Sequence, residues 1–87
     1  MKVTVVRSGG FAGLTSNWEV VIDEQDDRDS WIELIERLPW NTTPRARPLP
    51  DGYSYRISCS RHRITLPEQQ LTGSWRELVD RVRQAAG

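Results

Sequence analysis

A chain of 87 residues, 37% of them hydrophobic, has room for one core and is expected to form a single domain over residues 1–87. Twelve Lys+Arg balance twelve Asp+Glu, and this neutrality argues against nucleic acid or a membrane surface as partner, since both ask for excess base. A lone cysteine rules out an intramolecular disulfide, and no apolar run approaches the ~18 residues of a membrane span, so a soluble, cytoplasmic protein is expected.

The first element is read in Lys2–Arg7, where Val3 and Val5 alternate onto one face as in a β-strand. Arg7-Ser8-Gly9-Gly10-Phe11-Ala12-Gly13-Leu14 interrupts it, and Trp18, Val20 and Ile22 then mark a second strand that should pair with the first as an antiparallel hairpin. Five acids lie within residues 23–29 and end at Ser30. Trp31, Leu34, Ile35 and Leu38 follow at i, i+3, i+4 and i+7, the stripe of an amphipathic helix. Ser30 with Glu33 reads as its capping box, the acids ahead of it suit the positive end of the helix dipole, and Pro39 stops it.

Residues 39–52 hold four of the five prolines and read as an extended connector closed by an Asp51-Gly52 turn. Tyr53, Tyr55, Ile57 and Cys59 share one face of a third strand, which turns at Ser60-Arg61 into a fourth carrying His62, Ile64 and Leu66. A second helix starts at Ser74, capped with Glu77, and buries Trp75, Leu78, Val79 and Val82. SWIELIERL at 30–38 and SWRELVDRV at 74–82 match at an offset of 44, which also lays Trp18, Val20 and Ile22 on His62, Ile64 and Leu66. The expected fold is therefore α+β, a four-stranded antiparallel sheet in a ββα–ββα arrangement with both helices packed on one face.

Catalytic chemistry finds little support, and neither catalytic nor metal-binding residues are assigned. His62 is expected half-buried at the core edge with a hydrogen-bonding partner, and Cys59 as a small buried hydrophobe rather than a nucleophile. One Cys and one His do not complete a zinc site, and the acids at 23–29 lack the spacing and central glycine of a calcium loop. The glycines spell neither a dinucleotide fingerprint nor a P-loop, and a phosphate cradle leads into a helix, whereas this loop leads into a strand. Gly10–Gly13 matches the GXXG of KH domains, but that motif joins two helices. Arg56, Arg61 and Arg63 beside Tyr53 and Tyr55 offer an alternative: an adaptor surface on the third and fourth strands for another protein or single-stranded nucleic acid.

The Gly-rich loop remains. A hairpin needs only two turn residues, so the extra length is a candidate functional element. Phe11, the sole Phe, either projects as an apolar anchor or folds back to cap the sheet.

The strand running into Arg7-Ser8-Gly9-Gly10-Phe11-Ala12-Gly13, followed by Trp18-Glu19-Val20, with Pro50-Asp51-Gly52-Tyr53-x-Tyr55 and a final helix containing Leu78-Val79, resembles the emfourin family of inhibitors of thermolysin-like zinc metallopeptidases. The resemblance spans nearly the whole chain; this one is short, with a tight Ser60-Arg61 turn and a Pro/Arg-rich connector. It implies a non-enzymatic, cofactor-free, monomeric protein that binds a thermolysin-like zinc metallopeptidase at its active-site cleft. The implied protease-binding residues are Arg7, Ser8, Gly9, Gly10, Phe11, Ala12, Gly13 and Leu14. Phe11 would enter the pocket for the apolar residue after the scissile bond, and Arg7 would pair with a carboxylate at the cleft rim. A backbone carbonyl reaching the zinc and simple obstruction of the cleft are both compatible with this.

Overall fold

A computed structural model describes residues 1–10, 13–42 and 52–86. Four strands, β1 (Lys2–Gly9), β2 (Ser16–Val21), β3 (Tyr53–Cys59) and β4 (His62–Pro67), form one antiparallel sheet in the order β2-β1-β3-β4. Two helices, α1 (Arg28–Arg37) and α2 (Ser74–Ala86), complete an α+β fold. The ββα–ββα succession read from the sequence is the observed one. Each hairpin contributes its first strand to the middle of the sheet, so β1 pairs with β3 as well as with β2.

Alternation along the strands explains the layering. Trp18, Val5, Ile57 and Ile64 stand side by side across the four strands, and Val20, Val3, Cys59 and His62 form the neighbouring row. The helix stripes Trp31, Leu34, Ile35 and Trp75, Leu78, Val79, Val82 close over these rows to make one core. Tyr55, Ile57 and Cys59 are buried on the third strand as expected. Thr4, Val6, Ser54, Arg56, Ser58, Arg63 and Thr65 alternate onto the opposite face, and none of them belongs to the core.

Three details depart from the sequence reading: Ile22 lies not on the second strand but in a 3-10 turn, Ile22–Glu24, that follows it, and the two helix starts differ. Ser30 does not cap α1: the helix begins at Arg28, three residues ahead of Trp31, and the Asp27 carbonyl accepts the Trp31 amide (3.2 Å). Asp27 is also the better used carboxylate, accepting from Trp31 Nε1 and from Arg81 of α2, each at 2.9 Å, so the residue that starts α1 also ties it to α2. Ser74 is the first residue of α2 rather than a cap outside it, and the Gly73 carbonyl before it accepts the Glu77 amide (3.1 Å).

The connector is not extended where it leaves α1. Residues 39–42 turn, with Thr42 donating through its amide (2.9 Å) and its hydroxyl (2.6 Å) to the Pro39 carbonyl. Trp40 donates Nε1 to the Ile35 carbonyl (3.0 Å), which also accepts the Leu38 amide (3.3 Å) at the helix C-terminus. Most of the connector, 43–51, including Asp51 of the expected turn, lies outside the described residues.

Candidate functional site

The Gly-rich loop grows from the end of the β1–β2 hairpin, and the third strand supports it from the side. β1 runs two residues beyond the sequence estimate because Ser8 and Gly9 pair with Ser54 and Tyr53 of β3 after β2 has already diverged. Gly10 then donates its amide to the Gly52 carbonyl (3.0 Å), and Gly13 donates its own to the Gly10 carbonyl (3.2 Å). Two of the glycines are required by close approach. With φ at +97°, Gly9 lies so near β3 that an added Cβ would sit 2.8 Å from the Gly52 carbonyl oxygen. At Gly10, with φ at +77°, it would sit 2.6 Å from Cε1 of Tyr53.

Leu14 follows, with 71% of its surface exposed, more than either other exposed large hydrophobic side chain among the described residues, Met1 and Val21. Ser8 faces the helix-free side of the sheet, in a depression shared with Val6, Ser54, Arg56 and Thr65. Phe11 and Ala12 lie outside the described residues.

Arg7 lies against aromatic rings in the free chain. Like Val3 and Val5 it points to the helix-bearing face, where the aliphatic core gives way to aromatic rings. Its guanidinium lies 4.5 Å from the ring centroid of Tyr53 and 5.3 Å from that of Trp18, the diagonal neighbours on the two flanking strands. Arg83 of α2 adds a second guanidinium 5.0 Å from the Trp18 ring. A row Tyr53–Arg7–Trp18–Arg83 thus crosses the sheet beneath the loop. Sequence reading gave Tyr53 and Trp18 strand faces, and Tyr53 a place in the alternative Arg/Tyr surface, but no part in the loop. The part of Tyr53 depends on β1 pairing with β3, which no local pattern announces.

The other sequence candidates do not assemble into a site. Cys59 is 2% exposed and burial pushes its thiol pKa up, which suits a small hydrophobe and not a thiolate. His62 is opposite Cys59 on the core side, but at its rim: the imidazole is exposed and stacks on Trp40 (centroids 4.9 Å, planes 15° apart) instead of sitting half-buried with a hydrogen bond. Within the acidic segment, Asp23 accepts a hydrogen bond from the N-terminal ammonium (2.8 Å), which holds its carboxyl below the usual range, and Asp27 is engaged as described above. No group of three or more His, Cys, Asp or Glu among the described residues could hold a metal ion.

The Arg/Tyr surface is divided by the pleat. Tyr55 is buried in the core and Tyr53 holds Arg7 on the same side, whereas Arg56 and Arg63 face the other way. Bases stacking on the tyrosines and phosphates on the arginines would need opposite faces of the sheet. No helix among the described residues is long and apolar enough to cross a membrane.

Comparison with known proteins bears on the whole chain. A family profile described as Emfourin matches residues 5–83, which covers β1 from Val5, the other three strands, α1, α2 as far as Arg83, and the Gly-rich loop. No curated protein and no solved structure matches the chain.

Proposed function

The chain belongs to the emfourin family, whose members are metallopeptidase inhibitors, and from that premise we propose that it blocks a thermolysin-like zinc metallopeptidase by seating the loop Arg7–Leu14 in the active-site cleft. The observation that carries the loop assignment is Leu14: a large apolar side chain left in solvent on a loop whose backbone is anchored to β3. An exposed apolar residue on an anchored loop is an interface anchor in waiting, because little ordering entropy remains to be lost on binding. Phe11, three residues before it in sequence, supplies the second apolar group, and thermolysin-like enzymes accept bulky apolar residues next to the scissile bond. The chain acts without chemistry of its own, as one inhibitory unit over residues 1–87 and as a monomer, one copy per protease.

Titration of the purified protein into a thermolysin-like protease tests this. Inhibition at or below micromolar concentration is expected, weakened about tenfold or more by Phe11→Ala or Leu14→Ala, as for anchor residues at other interfaces. Gly10→Val should weaken it further, since the added side chain drives into Tyr53. Inhibition untouched by all three substitutions would remove the loop from the interface.

A further inference from the structure

The loop's glycines permit its shape but do not enforce it, because Gly is the residue with the most conformational freedom to lose. What enforces the shape lies outside the loop. Gly10 rests against the Tyr53 ring so closely that no Cβ fits between them, and its amide is held by Gly52, the residue before Tyr53. The Tyr53 ring is in turn covered by the Arg7 guanidinium, and Arg7 also reaches Trp18, which takes Arg83 from α2. Among the described residues Arg7 makes these two ring contacts and no ion pair.

We propose that Tyr53, Arg7 and Trp18 form a clamp that pre-organises the protease-facing loop, Tyr53 and Arg7 being positioning residues for inhibition; this inference rests on the loop reading given above. Arg suits the central place because a planar guanidinium can lie against two rings at once, which an ammonium on a flexible stem cannot. Tyr53 suits its place because a flat ring packs against a Cα that carries no side chain. If the clamp opens, the competent fraction of loop conformations falls and the apparent inhibition constant rises by the inverse of that fraction.

The test uses the full chain with Arg7→Lys, which keeps the charge and removes the planar group, Tyr53→Leu, which removes the ring, and Tyr53→Phe, which keeps it. Amide hydrogen exchange in the free protein is followed at Gly10 and Gly13, with Val5 and Ile57 reporting on the core, and inhibition of a thermolysin-like protease is measured at two ionic strengths. Arg7→Lys and Tyr53→Leu are expected to speed exchange at Gly10 and Gly13 by roughly 3- to 30-fold, the range for losing one or two such ring contacts. Val5 and Ile57 stay unchanged, the inhibition constant rises by a similar factor with the wild-type salt dependence, and Tyr53→Phe behaves as wild type. An Arg7→Lys protein with wild-type exchange and wild-type inhibition would make Arg7 a simple charge and overturn the clamp. So would a Tyr53→Leu protein that inhibits poorly while its loop amides exchange normally, since Tyr53 would then be touching the protease itself. A wild-type protein that inhibits no such protease sinks the functional reading, and the exchange comparison still decides whether the clamp orders the loop.

Discussion

Trp31 and Trp75 hold matching places in the two similar helices, and both are buried, yet their indoles fare differently. Trp31 donates to Asp27, while Trp75 Nε1 is buried with no hydrogen-bond partner among the described residues. Trp40 meets Trp75 edge-on (centroids 5.0 Å, planes 84° apart), a packing contact that does not replace a hydrogen bond. Trp→Phe costs volume at either site, but at 75 it also removes an unpaired donor. Trp31→Phe should therefore destabilise the fold by about 1–2 kcal/mol more than Trp75→Phe in urea denaturation. Cys59 gives a pH prediction. Its folded-state pKa is raised by burial, so the native state holds the thiol proton more tightly than the unfolded chain does. That contribution is complete below the ordinary thiol range of about 8.5 and is lost as pH rises above it. Urea midpoints at pH 7 and pH 10 should show wild type losing ground to Cys59→Val at the higher pH, and native Cys59 should resist alkylation at pH 8 until denaturant is added.

At the scale of elements, the two hairpins turn by different means. The β3–β4 hairpin turns in two residues with Cys59 opposite His62, at the cost of a positive φ (+54°) at Ser60. The β1–β2 hairpin instead leaves its loop leaning on β3, and its glycines are unequal as a result. Gly13 has φ at +64° and open space where a Cβ would go, so Gly13→Ala should cost only the left-handed backbone term, about 1 kcal/mol. Gly9→Ala adds a collision with the Gly52 carbonyl to a φ of +97° and should cost about 3 kcal/mol, or detach the loop from β3. Urea midpoints of the two variants give the order. Both glycines were legible in sequence as loop formers; their inequality was not, because it is set by a strand more than forty residues away in the chain.

Over the whole molecule, the internal match between 30–38 and 74–82 survives in burial: Trp31 and Trp75, Leu34 and Leu78, Ile35 and Val79, Leu38 and Val82 all lie in the core. The halves are nevertheless not independent units. β1 and β3 are the two central strands, α2 packs on β1 and β2, and Arg81 of α2 bonds Asp27 at the start of α1. A chain ending at Pro39 would leave Val3, Val5 and Val20 without β3 and α2, forfeiting about 1.5–3 kcal/mol for each large apolar side chain left in water. It should show no cooperative thermal transition by circular dichroism at any concentration where it stays monomeric; a cooperative melt would mean that the first ββα unit folds alone.

The sequence by itself determined the elements, their faces and the family, because periodicity, prolines and the Arg7–Gly13 motif are local signals carried by neighbouring residues. Helix starts were less legible, since a run of acids offers several competing first turns; the observed one is held by a local bond from Trp31 to Asp27 and a tertiary one from Arg81. Only the tertiary structure decided that β1 lies beside β3, and the support of the loop by Tyr53 and Gly52 follows from that contact. It brings Tyr53 against Gly10 and sets its ring beside the Arg7 guanidinium. The physical reason is that strand adjacency is a long-range choice made by the core as a whole, whereas a residue's neighbours in sequence record only the face on which it will stand.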